Sequence, residues 1–495
     1  MTEDQKPIEK RSAIEAGVDV IVLGSSFEAM IAAASLGKAG LKTVLFETGT
    51  NDTNDDDQSS RHAPLVTDGL ISHLDPDSID ALDLYRMGLS FAARRLDTIY
   101  FLNEGETIRL EGDFASAGQN FDDHLLEPFA KFSDRLLQAS TRLAINSIAQ
   151  VNTEDGFLSG NASTVLSSML PDDGLRAVML SESLFGVDIA PDEPFGFSGL
   201  LHRMSGEVVG LQAAIGYPDG GIESVLNAAR RAMQTHRVDV RRSPAVTEIL
   251  VEWDGVAGVH LDDGGQIRAP NVISGLSAED TFLKKIGPSH INVQFQAGLF
   301  LAPPRVAKAQ LQLEISGSVS DDRTQEFMRS RLVVAPSEYA LKEAVYAARR
   351  GEIPSTLILE AFFPDVLEGN AENETQNLII TAYPVPMNPA DDNYRDKLET
   401  AVLSIFENIA PKTRKRIKKK RLLLVGEESG DNAMMLNATR PLVQQRAYGQ
   451  SLKSCSGITG LHYCGADAQS SGHLSGRLGR DAAKAVIQSD RRGDE

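Results

Sequence analysis

The chain is short of the residues that usually announce a site. Cysteine occurs twice, at Cys455 and Cys464, which excludes a disulfide framework and a cysteine-rich metal centre; both read as small buried residues in a reducing compartment. The nine histidines show no metal-ligand spacing, and no catalytic acid, base or triad stands out. The one tryptophan, Trp253, falls in a strand-rich stretch where packing is its expected role. Long apolar runs are missing as well. The stretch from Ile21 to Ala34 is broken by Gly24, Ser25, Ser26 and Glu28, too soon for the roughly 20 apolar residues that span a membrane. Positive charge is scarce, with 49 Lys and Arg against 69 Asp and Glu and a formal net charge of −20. That balance excludes nucleic acid as the main partner, because phosphate binding needs a positive face. The leader MTEDQKPIEKRSAIEAG has no apolar stretch and reads as a flexible segment, not as a secretory signal. These absences together describe a cytoplasmic protein.

What is present is enough apolar residue, 42% of 495, to bury two domain cores, since chains of this length rarely fold around one. The first organised stretch is VDVIVLGSSFEAMIAAASLGKAGLKTVLFE, from Val18 to Glu47. VDVIVL reads as a central parallel strand, apolar on both faces. A helix follows whose small apolar positions Met30, Ala33, Ala34 and Ala39 form a stripe able to lie close to a sheet, and KTVLFE is the second strand. The turn between strand and helix is the phosphate-cradling kind. Gly24 allows the sharp turn, and Ala29 stands where a small residue lets helix and strand approach. Ser26 replaces the second glycine, bringing a Cβ towards the phosphate but also a hydroxyl that can donate to it or cap the helix. Glu28 suits the helix dipole, and would repel a pyrophosphate if it pointed inward. Glu47, 23 residues after Gly24, ends the second strand where a carboxylate reaches ribose hydroxyls.

Beyond an acidic, aperiodic segment (TGTNDTNDDDQSSRHAP), the region from Ser78 to about Met204 is helical in pattern, as in FDDHLLEPFAKFSDRLLQASTRL, where Leu125, Phe129, Phe132 and Leu136 share a face. His202 in this region reads as a structural histidine. The pattern then returns to α/β: a helix with Ile222, Val225, Leu226 and Ala229 on one face, then the strands VDVR, VTEILVEW, VAGVHL and IRAPNVIS. A second block, from about Ser289 to Arg421, holds the strands QLQLEIS, TLILEAFF and NLIITAYPV of a second sheet. It closes on the basic run RKRIKKKR, Arg414 to Arg421, which reads as a solvated helix terminus in preference to a peripheral membrane contact. The chain ends in a short strand, a glycine-rich loop and a helix.

The blocks VIVLGSSFEAMIAA, LDPDSIDALDLYRMGL, LLHRMSGE with GYPDGGIESVLNAARRA, SPAVTEILVEWDGVAGVHLDDGGQIRAPNVIS and LHYCGADAQSSGHLSGRLGRDAA, in this order from about Val18 to Ile487, resemble the phytoene-dehydrogenase-like branch of the FAD-dependent amine-oxidase and carotenoid-desaturase superfamily. The resemblance implies an α/β fold: a discontinuous FAD-type Rossmann domain (1–75, 213–288 and 422–495), glutathione-reductase-like, and a mixed α+β substrate domain (76–212 and 289–421). It implies that Gly24, Ser26, Ala29 and Glu47 hold the ADP half of FAD, with Val246 against the adenine through its backbone. Gly465, Ala466 and Asp467 would line the ribityl chain and diphosphate, and a helix starting near His473 and Leu474 would aim its N-terminus at the flavin. The implied activity is dehydrogenation, desaturation or isomerisation of an apolar, isoprenoid or lipid-like substrate by hydride transfer, which needs a positioned ring more than an acid or base. The chain departs from the family in TGTNDTNDDD, where a glycine pair is usual, and in Gln469 and Ser470, where a His-Pro step is usual. Those departures define an alternative: a non-catalytic relative, without FAD, that binds a lipid or a protein.

Overall fold

The computed structural model describes residues 14–47, 68–102, 105–112, 114, 121–145, 156–293, 295–296, 304–317, 326–425, 457–465 and 474–493. Two large sheets organise it. The first has five parallel strands, β2 (Val20–Leu23), β3 (Thr43–Phe46), β10 (Asp239–Arg241), β14 (Asn271–Ser274) and β20 (Leu461–Tyr463), in the order β10-β3-β2-β14-β20. VIVL and TVLF are buried at every position, because both faces of a parallel sheet are covered. Val20, Val22, Leu45 and Ile273 face helices α1 (Phe27–Lys38), α7 (Gly221–Thr235) and α12 (Arg477–Gly493). Ile21, Leu23, Val44, Phe46 and Val272 face a four-stranded sheet of β1 (Ile14–Glu15), β11 (Val246–Glu252), β12 (Gly255–Leu261) and β13 (Gln266–Arg268). Alternation along each strand thus supplies two cores.

Helix α1 is buried all round from Phe27 to Ala34, since the sheet, α7 and α12 enclose it; that explains its run of alanines. Ala39, expected on the packing stripe, is instead the exposed C-cap residue, because the helix has already ended and Gly40, at φ +90°, turns the chain away.

The second sheet has seven strands in the order β19 (Ile417–Leu423), β15 (Val306–Ser316), β18 (Thr375–Pro386), β17 (Ile358–Phe362), β16 (Arg331–Val334), β5 (Thr98–Phe101) and β6 (Thr107–Leu110). Only the β16–β5 pair is parallel. Leu311, Leu313, Leu378 and Ile380 point to one face, under α10 (Tyr394–Phe406) with its Leu398, Val402 and Phe406. Helices α3 (Asp123–Ile145), α4 (Ala162–Met169), α5 (Asp173–Leu184), α6 (Ser198–Ser205) and α8 (Glu338–Arg349) form a separate layer. Within it Phe129, Phe132 and Leu136 are buried and Leu125 packs beside them, as their spacing predicts. Short pairs β4 (Phe91–Ala93) with β9 (Tyr217–Pro218), and β7 (Glu207–Val208) with β8 (Leu211–Gln212), and helices α2 (Pro76–Leu82), α9 (Pro364–Leu367) and α11 (Thr413–Arg416) complete the connections.

Two expectations fail here. The basic run is a helix terminus only at α11; from Ile417 it is β19, the edge strand, where Lys419 pairs with Glu314 and Lys420 with Glu399. Charged side chains are a common way to keep a sheet edge from recruiting another strand. Trp253 is not packed: it is 98% exposed at the β11–β12 turn, with φ +58°. The chain turns at Asp254-Gly255, between β11 and β12, and the tryptophan stands one residue ahead of that turn, outside the core. No helix among the described residues is long and apolar enough to cross a membrane.

Candidate nucleotide site at the carboxyl edge of the parallel sheet

The turn after β2 is made by Gly24, whose φ of +109° an L-residue adopts only with strain. Its N–H donates to the Phe46 carbonyl (2.9 Å), and the Gly275 N–H to the Leu23 carbonyl (2.8 Å). A Cβ on Gly24 would lie 3.3 Å from the Gly275 carbonyl carbon; one on Gly275 would lie 2.9 Å from Ala29 Cβ and 3.0 Å from Ser26 Oγ. Two bare backbones therefore meet where β2 and β14 end. Gly275, directly after β14, was not among the residues singled out from sequence.

Ser26 resolves its own ambiguity. At φ −64° and ψ 152° it has ordinary extended geometry, and Oγ accepts from the Ala29 N–H at 3.2 Å as the N-cap of α1. Nothing in the torsions requires glycine there, and the hydroxyl is turned to the helix. Glu28 does not enter the turn either. It is buried, and its two oxygens accept from the backbone N–H groups of Gly476 (2.7 Å) and Gly479 (2.8 Å) at the start of α12.

Glu47 ends β3 with its N–H bonded to the Arg241 carbonyl, and its Oε2 lies 2.5 Å from Arg242 Nε. The Arg242 side chain is 80% exposed, so it can move aside for a ribose hydroxyl. Val246 opens β11, buried, but its carbonyl already accepts from Lys285 Nζ at 2.7 Å, which takes up one of the backbone contacts expected for adenine. Gly465 follows β20 and lies against the Leu276 carbonyl and the Tyr463 ring, with no room for a Cβ. Leu474 is half-buried against the helical core, and α12 begins at Arg477, three residues later than expected, with Glu28 on its first N–H groups. Ala466, Asp467, Gln469, Ser470, His473, Cys455 and the acidic segment lie outside the described residues. The structure thus brings Gly24, Ser26 and Ala29 together at one turn, with Glu47 just past the neighbouring strand β3 and Gly465 just past β20, which lies beyond β14 in the same sheet. Val246 approaches from the sheet packed on its other face.

A buried charge cluster lies in the helical layer. Glu182 is bonded by Tyr100 (2.9 Å) and paired with Arg331 and Arg203, and Arg331 also reaches Glu360 (2.6 Å). Burial raises the pKa of Glu182, but the two guanidinium groups outweigh it and hold it below the usual range. His202 stacks on His73, with ring centroids 4.3 Å apart. Burial, and then the Arg203 charge, lower the pKa of His73 to about 4. The histidines are structural parts of this cluster.

No family model matches the chain. The architecture is nevertheless defined: it is an α/β fold in which a five-stranded parallel sheet is joined to a large mixed sheet. Among solved structures that share it, putrescine oxidase bound to putrescine aligns with a TM-score of 0.62 at 13% identity, over 96% of this chain and 100% of that one. Cyclohexylamine oxidase from Brevibacterium oxydans aligns at 0.60 and 14%, over 96% and 99%. In sequence, the chain is similar to the pyridine nucleotide-disulfide oxidoreductase domain-containing protein 2 of Rattus norvegicus, 23% identical over 368 residues, and of Mus musculus, 24% over 371. Each match covers 67% of this chain and spans 61% of the relative's length.

Proposed function

We propose that this protein is a flavin-dependent oxidoreductase of phytoene-dehydrogenase-like type that removes a hydride from an apolar, isoprenoid or lipid-like substrate. The observation that carries the reading is the cradle at the strand ends: Gly24 at φ +109° opposite Gly275, both where a Cβ would fill the space. The glycines let the two strand ends pack closely and the chain turn sharply into the N-terminus of α1, the kind of turn beside which a pyrophosphate is commonly held. The ADP half of FAD fits these residues. Gly24, Ser26 and Ala29 would hold its pyrophosphate, Glu47 its ribose and Val246 its adenine, with Gly465 and Leu474 towards the flavin. The domain division 1–75, 213–288 and 422–495 against 76–212 and 289–421 belongs to the same reading.

When bound, FAD would supply the hydride acceptor. The chain's own residues supply position and environment. Ser26 fixes the first turn of α1, Glu47 keeps a carboxylate at the strand end, and Glu28 ties α12 to α1. Purified protein should therefore absorb between about 350 and 500 nm, the flavin window, near one flavin per chain, or take up added FAD saturably, and Gly24→Ala should weaken that uptake. No flavin spectrum and no saturable binding would overturn the proposal and leave the second reading, a non-catalytic lipid- or protein-binding relative. One observation favours that second reading: Glu28 has taken the N–H groups that would give α12 its positive end.

A further inference from the structure

We propose that a cavity of about 810 Å³ on the open face of the seven-stranded sheet is a second binding site, for a monocarboxylate with an apolar body whose head is held by Arg421. It is independent of the nucleotide site. The register places Ile379, Gln312 and Arg421 in one row across β18, β15 and β19, and Asn377, Glu314 and Lys419 in the next. Both rows line the cavity, whose other wall is Asp68 and the start of α7 at Gly220 to Glu223. The volume falls within the range of small-molecule sites.

Charge balance selects the ligand. Lys419 is matched by Glu314, Lys420 by Glu399 and Glu223 by Arg230. The Asp68 carboxyl is satisfied by the Tyr217 hydroxyl (3.0 Å) and the N–H groups of Gly69 (2.9 Å) and Ile222 (3.4 Å). Among the described residues none forms an ion pair with Arg421. Desolvation lowers its pKa and no neighbouring carboxylate raises it. A guanidinium facing a cavity without a counter-ion is completed by a planar, singly charged acceptor, which a carboxylate matches in bidentate fashion. Glu223 and Glu314 on the same walls disfavour a doubly charged head. Ile222, Pro364 and Ile379 give the body an apolar seat.

Sodium octanoate is the probe, with octan-1-ol and octylamine as comparisons, each titrated calorimetrically into the full chain. Octanoate should bind saturably at one site, Arg421→Gln should weaken it by about tenfold or more, and Lys415→Gln, in α11 and not on the cavity wall, should leave it unchanged. Gln312→Glu, which sets a carboxylate across from Arg421, should block octanoate in a chain that keeps its guanidinium. Absence of saturable octanoate binding, octanol or octylamine binding as tightly as octanoate, or Arg421→Gln and Gln312→Glu both binding like the wild type would each overturn the proposal. If Arg421→Gln does not fold, the Gln312→Glu result alone decides.

Discussion

At Glu28 a single side chain joins the first helix to the last, across 448 residues of sequence for Gly476. Its carboxylate is buried, with both oxygens engaged, so its removal takes the acceptor from two backbone donors. Each buried donor left unsatisfied costs on the order of 1–3 kcal/mol. Glu28→Ala is therefore expected to lower the unfolding free energy by several kcal/mol in urea titration, while Glu28→Gln, which keeps one acceptor and the same volume, loses clearly less. Equal losses for the two would mean that Glu28 acts by packing alone. At this scale the sequence placed Gly24, Ser26 and Ala29 at the turn between β2 and α1, and not the directions of the side chains around it. Gly24 and Ala29 were legible because the strand, turn and helix around them are local. Ser26 and Glu28 were ambiguous because each has a partner, its own helix N–H or a distant one, that spacing does not name. Gly275 was missed because a single glycine after a strand has no motif until β14 is seen beside β2.

Elements were more legible than residues where their periodicity was set by a covering layer. The apolar runs of β2 and β3 and the phenylalanine spacing of α3 report burial directly, and so they read correctly. The basic run misled because charge alone does not distinguish a helix end from a sheet edge; what decides is Glu314 opposite Lys419 and Glu399 beside Lys420. The C-terminal unit, β20 with α12, gives the element-scale prediction. β20 is an edge strand, and edge strands are often dispensable, yet α12 covers α1 with Leu478, Ala483 and Val486 and supplies the partners of Glu28. A chain ending at Val425 would expose the alanine face of α1 and strip Glu28 of both its backbone donors, uncovering apolar surface that the fold otherwise buries. Such a chain should bind the dye ANS strongly and elute as an expanded or aggregated species in gel filtration. A compact truncated chain that unfolds cooperatively would show that α12 is only an accessory.

For the whole molecule, block order conveyed that the parallel sheet gathers strands from the beginning, middle and end of the chain. What the order could not convey is how the helical layer is fixed to the seven-stranded sheet. That depends on Glu182 from α5, Arg203 from α6, Arg331 from β16 and Tyr100 from β5, residues whose types are common and whose meeting is purely tertiary. His73 packs into this cluster beside His202, with Ser72 Oγ on one ring nitrogen and the His202 carbonyl on the other (3.1 and 3.0 Å). Burial, then the Arg203 charge, hold its pKa near 4 against an ordinary 6.5. The unfolded chain therefore binds this proton first as pH falls. The sign follows from linkage: stability rises with pH wherever the unfolded state carries more protons. The His73 contribution is complete above about pH 6.5 and is lost progressively as pH falls through 4, reaching about 3 kcal/mol for such a shift. Urea unfolding at pH 7.0 and pH 4.5 should thus show a drop that His73→Gln reduces, since glutamine does not titrate and can keep one of the two hydrogen bonds. An unchanged drop in that variant would place the acid sensitivity in the carboxylates, Glu182 foremost, whose lowered pKa makes its own loss fall further down the pH scale.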